Sequence, residues 1–160
     1  MEAAHIKTVD IYTDGACSGN PGNGGYGAVL LYNGARKELS AGYRLTTNNR
    51  MEVLAVIKAL ETLKEPCRVN LYSDSKYVVD AISKGWVRKW KANGWKKADK
   101  SRALNVDLWE RLLALLEVHE VKFIWVKGHA DNIENERCDF LARSAIEKGN
   151  LMEDKNYSAD

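Results

Sequence analysis

Ile11-Tyr12-Thr13-Asp14 and Leu71-Tyr72-Ser73-Asp74 are one phrase written twice. Val9, Ile11 and Thr13 alternate with Asp10, Tyr12 and Asp14, and Val69, Leu71 and Ser73 repeat the alternation. This is the period-2 signature of a strand, and each strand ends in an aspartate. Gly15 and the Gly/Asn/Pro-rich run from Ser18 to Gly25 predict that the first strand stops there. If the two strands are parallel neighbours, they lie about 4.8 Å apart. Two carboxylates then stand side by side at one sheet end, the end at which open α/β sheets bind ligands. Two anions that close share a proton or bind a cation. The echo alone leaves two readings open: a carboxylate-lined metal site, or two aspartates serving turns and helix caps.

Outward from these strands, residues 25 to 32 and 36 to 45 read as two more, joined by Asn33-Gly34, a strong hairpin signal. Three consecutive strands predict an antiparallel meander. A helix is expected over 48 to 63, capped by Asn48 or Asn49, with Val53, Val56, Ile57, Leu60 and Leu63 as its apolar stripe. Glu52 falls in its first turn, where an acid also suits the helix dipole. A strand over 68 to 73, a short helix over 75 to 84 ending at Gly85, a helix over 106 to 118 capped by Asn105, a strand over 121 to 126 and a helix over 134 to 148 complete the pattern. The expected fold is α/β: a five-stranded mixed sheet, three antiparallel strands then two parallel, flanked by helices. It forms one domain over 1 to 148, and the polar stretch 149 to 160 is expected to fray.

The 160 residues suffice for one sizeable core, and 45% hydrophobic with 29% charged residues excludes a disordered chain. No apolar run approaches the roughly 20 residues of a membrane span. The N-terminus has no apolar signal segment. Three cysteines, Cys17, Cys67 and Cys138, cannot all pair within one chain, which points to a reducing, cytoplasmic setting with free thiols. No spare apolar helix face stands out, so a monomer is expected. Net charge is +2, but residues 86 to 102 hold seven basic residues against one acid, a local +6. That leaves 17 basic against 21 acidic residues, or −4, elsewhere. Trp86, Trp90 and Trp95 interleave with those cations, a pattern that suits a nucleic-acid backbone. The alternative is a solvated basic face over core tryptophans.

Seven pieces, in order, carry a resemblance: Tyr12-Thr13-Asp14-Gly15-Ala16-Cys17, Gly19-Asn20-Pro21-Gly22, Thr46-Thr47-Asn48-Asn49-Arg50-Met51-Glu52, Tyr72-Ser73-Asp74-Ser75, Asn105-Val106-Asp107-Leu108-Trp109, Trp125-Val126-Lys127-Gly128-His129 and Glu134-Asn135-Glu136-Arg137-Cys138-Asp139. Over residues 8 to 146 the chain resembles type 1 ribonuclease H, the bacterial kind. The resemblance implies a ribonuclease H-like fold with a basic protrusion at about 86 to 104. It also implies endonucleolytic hydrolysis of the RNA strand of RNA–DNA hybrids, leaving a 5′-phosphate and a 3′-hydroxyl. Asp14, Glu52, Asp74 and Asp139 would be the metal-binding carboxylates. Hard ions such as Mg²⁺ take oxygen ligands. Two of them, with Mn²⁺ as the alternative ion, would act with substrate bound. His129 matches the loop histidine that assists proton transfer or product release.

Only 2′-hydroxyls distinguish the two strands chemically. By resemblance, Cys17, Asn20, Asn48 and Asn49 face the shallow groove, and Thr47 and Asn105 hold a phosphate of the DNA strand. Trp86, Trp90 and their basic neighbours grip that strand. Lys76 stands where a glutamine is usual, beside the active site, and its cation can touch a phosphate. Asp131-Asn132-Ile133 replaces a Gly-His-Pro common after the loop histidine. His5 and His119 match no motif and are expected at the surface. A non-catalytic hybrid-binding module would lack one of the four carboxylates. A DNA-cutting relative of the fold would lack the Thr46-to-Asn49 run and the protrusion.

Overall fold

A computed structural model describes residues 6–128 and 131–158. The strands are β1 (Lys7–Ser18), β2 (Gly22–Tyr32), β3 (Ala35–Thr46), β4 (Cys67–Ser73), β5 (Glu120–Trp125) and β6 (Met152–Glu153). The helices are α1 (Asn48–Thr62), α2 (Lys76–Ser83), α3 (Trp86–Ala92), α4 (Val106–Val118) and α5 (Ile133–Glu147). Sheet order is β5-β4-β1-β2-β3-β6. β1, β2 and β3 form the expected antiparallel meander, and β4 and β5 add in parallel on the far side of β1. Tyr12 lies opposite Tyr72 and Thr13 opposite Ser73, so the two phrases sit in exact register on adjacent parallel strands. The rings of Tyr12 and Tyr72 stack with centroids 4.5 Å apart.

The hairpin turn follows from its dipeptide. Asn33 and Gly34 both take positive φ, 49° and 86°, which suits the twist of the flanking strands. α1 lies between the sheet and α4 and is buried on nearly every side. Met51, Val53, Val56, Ile57 and Leu60 meet Ile11 and Leu71 from the sheet and Trp109 and Leu112 from α4 in one apolar core. Fully burying side chains of this size contributes about 1.5–3 kcal/mol each. α5 covers the other face of β1, β2 and β3, and it lies unusually close: a Cβ on Gly27 would come within 2.3 Å of the Cys138 carbonyl oxygen.

Several expectations need correction. β1 does not stop at Gly15 but pairs with β2 through Ser18. The turn formers instead make a tight hairpin beyond it. The sheet has six strands, because part of the tail expected to fray, Met152–Glu153, pairs in parallel with β3 at Tyr43 and Arg44. Asp154 then anchors the tail through ion pairs, which no local pattern announces. α1 is capped by Thr47, whose Oγ1 accepts from the Arg50 amide at 3.2 Å, and not by Asn48 or Asn49. Asn105 precedes α4 in a left-handed conformation, φ 62°, but its side chain makes no cap because it is bonded elsewhere. His119 is 5% exposed rather than at the surface, and its Nδ1 accepts from the Cys67 amide at 3.1 Å. His5 lies outside the described residues. Cys17, Cys67 and Cys138 are all free thiols.

Candidate active site

Asp14 belongs to β1 and Asp74 follows β4 directly, so strand register alone delivers both carboxylates to one sheet end. Glu52 arrives from the second turn of α1, just past the first turn in which it was expected. Its Oε1 accepts from the Gly15 amide at 2.8 Å, which ties α1 to β1. Gly15 permits that approach, since a Cβ there would sit 2.5 Å from the Glu52 amide nitrogen. Asp74 is held by its backbone. Trp125 Nε1 donates to its carbonyl at 3.2 Å, and Ser75 caps α2 just after it. The result is three carboxylates whose ligand oxygens lie within 4.8 Å of one another. Asp14 and Glu52 are only 5% and 6% exposed.

Burial raises the Asp14 carboxyl to about 8, reinforced by the charges of Asp74 and Asp139, while the Gly15 amide pulls the other way. Burial also drives Glu52 well above the ordinary carboxylate range, and Asp14 and Asp74 add to it. Like charges brought together, with no cation paired to any of the three among the described residues, are the donor set of a hard divalent ion. The residues therefore fit the metal that this arrangement implies. Asp139, on α5, is not one of the three: its Oδ2 accepts from Arg143 Nε at 3.0 Å, one turn along the same helix. His129 lies outside the described residues. Gly128, which precedes it, has a steric reason to be glycine, because a Cβ would stand 2.8 Å from Asp74 Oδ2.

Four of the residues expected to meet substrate share one cavity. Asn20, Thr47, Asn49 and Asn105 line a cavity of about 850 Å³. Asn20 Oδ1 accepts from the Asn48 amide at 3.1 Å, joining the loop after β1 to the start of α1. Cys17 is partly exposed and donates its thiol to the Thr46 carbonyl at 3.5 Å. Lys76 Nζ lies 4.8 Å from the centroid of the Trp125 ring, next to Asp74. Trp86 is 39% exposed, whereas Trp90 and Trp95 pack against the core, so the two readings of that segment divide between its residues.

Sequence reasoning missed a buried ionic cluster beside the cavity. Arg50, 2% exposed, donates to both oxygens of Asp107 at 2.9 and 2.7 Å. It also donates to both oxygens of Asp154, at 2.7 and 3.0 Å. Burial would lift the Asp107 carboxyl, but the hydrogen bonds and charge of Arg50 outweigh it and hold it below the usual range. Arg50 and Asp107 stand in the quoted motifs, yet nothing near Asp154 signals its part.

An RNase H family model matches residues 6–147. The chain is 67% identical over 147 residues to a ribonuclease H of Desulforamulus reducens, covering 92% of each. It is 59% identical over 156 residues to a ribonuclease HI of a Synechocystis species, covering 97% of this chain and 98% of that one. Among solved structures, LC9-RNase H1, a type 1 RNase H with the type 2 active-site motif, superposes with a TM-score of 0.81 at 30% identity, over 92% of this chain and 75% of that one. LC11-RNase H1 in complex with an RNA/DNA hybrid superposes with a TM-score of 0.69 at 26% identity, over 88% and 98%. The chain belongs to the RNase H family, in its type 1 bacterial form. It is a nuclease, a divalent-metal-dependent hydrolase of phosphodiesters. No helix among the described residues is long and apolar enough to cross a membrane.

Proposed function

We propose that this ribonuclease H cuts the RNA strand of RNA–DNA hybrids internally, using Mg²⁺ held by Asp14, Glu52, Asp74 and Asp139. The observation that carries the reading is the three-carboxylate cluster at the parallel strand ends, in a chain of this family. When bound, a pair of such ions activates an attacking water and stabilises the leaving oxygen. A new P–O bond forms from water as the bond to the 3′ oxygen breaks. The products are a 5′-phosphate and a 3′-hydroxyl.

The chain's own residues orient and neutralise. Asp14 and Glu52 are desolvated and already in place, so little reorganisation accompanies metal binding. Asp139, paired with Arg143 one turn along α5, would exchange that partner for a cation. His129 moves a proton to or from the reacting phosphate. Asn20, Asn48, Asn49 and Cys17 read 2′-hydroxyls in the shallow groove, Thr47 and Asn105 take a phosphate of the DNA strand, and Lys76 touches a phosphate near the cut. Trp86 and the protrusion's cations hold the DNA strand beyond it, on a base that Trp90 packs against the core. The three free thiols support a cytoplasmic setting, and a monomer suffices for every role named.

Cleavage of an end-labelled hybrid, in Mg²⁺ and in EDTA, beside duplex RNA and duplex DNA of the same sequence, tests this. Mg²⁺-dependent internal cutting of the hybrid's RNA strand alone is the expected result. Equal cutting of duplex DNA, or cutting in EDTA, would overturn it.

A further inference from the structure

The matched family stretch ends at residue 147, yet the chain continues into the cavity wall. Asn156, Tyr157 and Ser158 line the same cavity as Asn20, Thr47 and Asn105. Asp154 is what fixes this segment. Its Oδ2 accepts from Thr46 Oγ1 and from Arg50 Nε, both at 2.7 Å, and its Oδ1 accepts from Arg50 Nη2 at 3.0 Å. The Tyr157 ring lies 5.7 Å from the guanidinium.

Arg50 is poorly suited to bind a phosphate itself. It already serves two carboxylates, so the trio with Asp107 and Asp154 carries a net −1. Its remaining role is geometric. Arg50 Nη1 donates to Asn105 Oδ1 at 3.3 Å. A guanidinium only donates, so the amide oxygen of Asn105 must face it. The NH₂ group therefore faces the other way, where one N–H reaches the Tyr77 hydroxyl at 3.0 Å. The second N–H belongs to a residue that lines the cavity. If Arg50 is not held, the amide is free to turn and offer a phosphate its oxygen, which repels it.

We infer that Asp154 is a positioning residue for the substrate: through Arg50 it fixes the Asn105 amide as a hydrogen-bond donor for a phosphate of the DNA strand. The inference rests on the reading of Thr47 and Asn105 as phosphate contacts. It extends the substrate site into a segment outside the family match, and it gives Arg50 a role distinct from direct charge attraction.

The test uses the full chain and hybrids whose DNA strand carries one uncharged methylphosphonate, moved along position by position. In the unsubstituted protein, one position should raise KM about tenfold with kcat little changed, the scale of one hydrogen bond to a charged group. Asp154→Ala should raise KM on the unmodified hybrid by a similar factor, again with kcat little changed. The methylphosphonate at the sensitive position should then cost nothing more. In an Asn105→Ala background, Asp154→Ala should likewise add nothing to KM. If no position is sensitive in the unsubstituted protein, the phosphate reading fails and the inference falls with it. If that protein is sensitive and Asp154→Ala keeps both its KM and its sensitivity, the phosphate reading stands and the inference is overturned. Should circular dichroism show Asp154→Ala unfolded, Asp154→Asn replaces it, with the same two outcomes deciding.

Discussion

Arg50 and Glu52 are both buried charges near the start of α1, two residues apart, and they are treated in opposite ways. Arg50 is matched by two carboxylates and an amide oxygen, with hydrogen bonds to each. Glu52 has one amide donor, from Gly15, and two more carboxylates for neighbours. A buried charge costs several kcal/mol unless it is paired and bonded. The first cluster is therefore a finished structural joint. The second is left unbalanced, and that imbalance is the capacity to take up cations. The teaching is that function is marked less by the presence of buried charge than by its missing partner.

The largest expected effect breaks the unbalanced cluster. Asp14→Asn should cut hydrolysis of a hybrid by about 10³-fold or more, the scale of losing one preorganised charge at a reacting centre. It should also stabilise the metal-free protein. The Asp14 carboxyl rises in the fold from 3.8 to about 8, so unfolding favours its charged form. Its contribution to stability is therefore fully present below pH 3.8 and is lost as pH rises towards 8. At pH 8 in EDTA, urea unfolding should find Asp14→Asn more stable by roughly 1–3 kcal/mol, the measured scale for relieving an unmatched buried group. A variant of lower stability there would show that the carboxylates are compensated.

Breaking the balanced cluster should do the reverse. Arg50→Ala strands Asp107 and Asp154 and should cost about 3–5 kcal/mol in urea, as when one partner of a buried pair is removed. A loss below about 1 kcal/mol would mean that the tail is held by β6 pairing alone.

How legible these two regions were differs for a physical reason. The strand echo predicted the parallel pair and its register, because period-2 burial is a local property. Asp14, Glu52 and Asp74 converge as their positions in strand and helix require. The Arg50 cluster joins residues 50, 107 and 154, and its last member lies in a polar stretch with no periodicity. A two-residue strand and one carboxylate hold that stretch, too little to leave a pattern. The protrusion was legible in charge but not in burial: composition cannot tell Trp86, which is exposed, from Trp90 and Trp95, which are partly buried against the core. Gly128 stands in a quoted motif, but that Asp74 occupies the space of its side chain is a contact between distant parts of the chain that no local pattern carries.

That last contact gives a smaller test on the active-site side. Gly128→Ala places a methyl against Asp74 Oδ2 and should move the carboxylate by a fraction of an ångström. A displacement of that size at a reacting centre costs about 10- to 100-fold in kcat. Unfolding by urea in EDTA should change little, since the strain falls on the loop. Unaltered kcat would mean that the loop yields instead of Asp74.

The smallest effect is furthest from both clusters. His119 ends α4, and its Nδ1 accepts from the Cys67 amide at the start of β4, so the imidazole must be neutral there. Burial lowers its folded pKa below the ordinary 6.5. Below pH 6.5 the unfolded chain takes up a proton that the native one refuses. The contribution of His119 to stability is thus full above pH 6.5 and declines as pH falls towards the lower folded value. His119→Asn can keep an acceptor near the Nδ1 position without the titration. Carboxylates titrate over the same range, so the informative quantity is the difference between the two proteins. Between pH 7 and pH 5.5 that difference should shift by up to about 1 kcal/mol in favour of the variant. A constant difference would mean that His119 is solvated enough to protonate in place. Protonation would then cost only the hydrogen bond from the Cys67 amide, and the joint between α4 and β4 would rest on its packing instead.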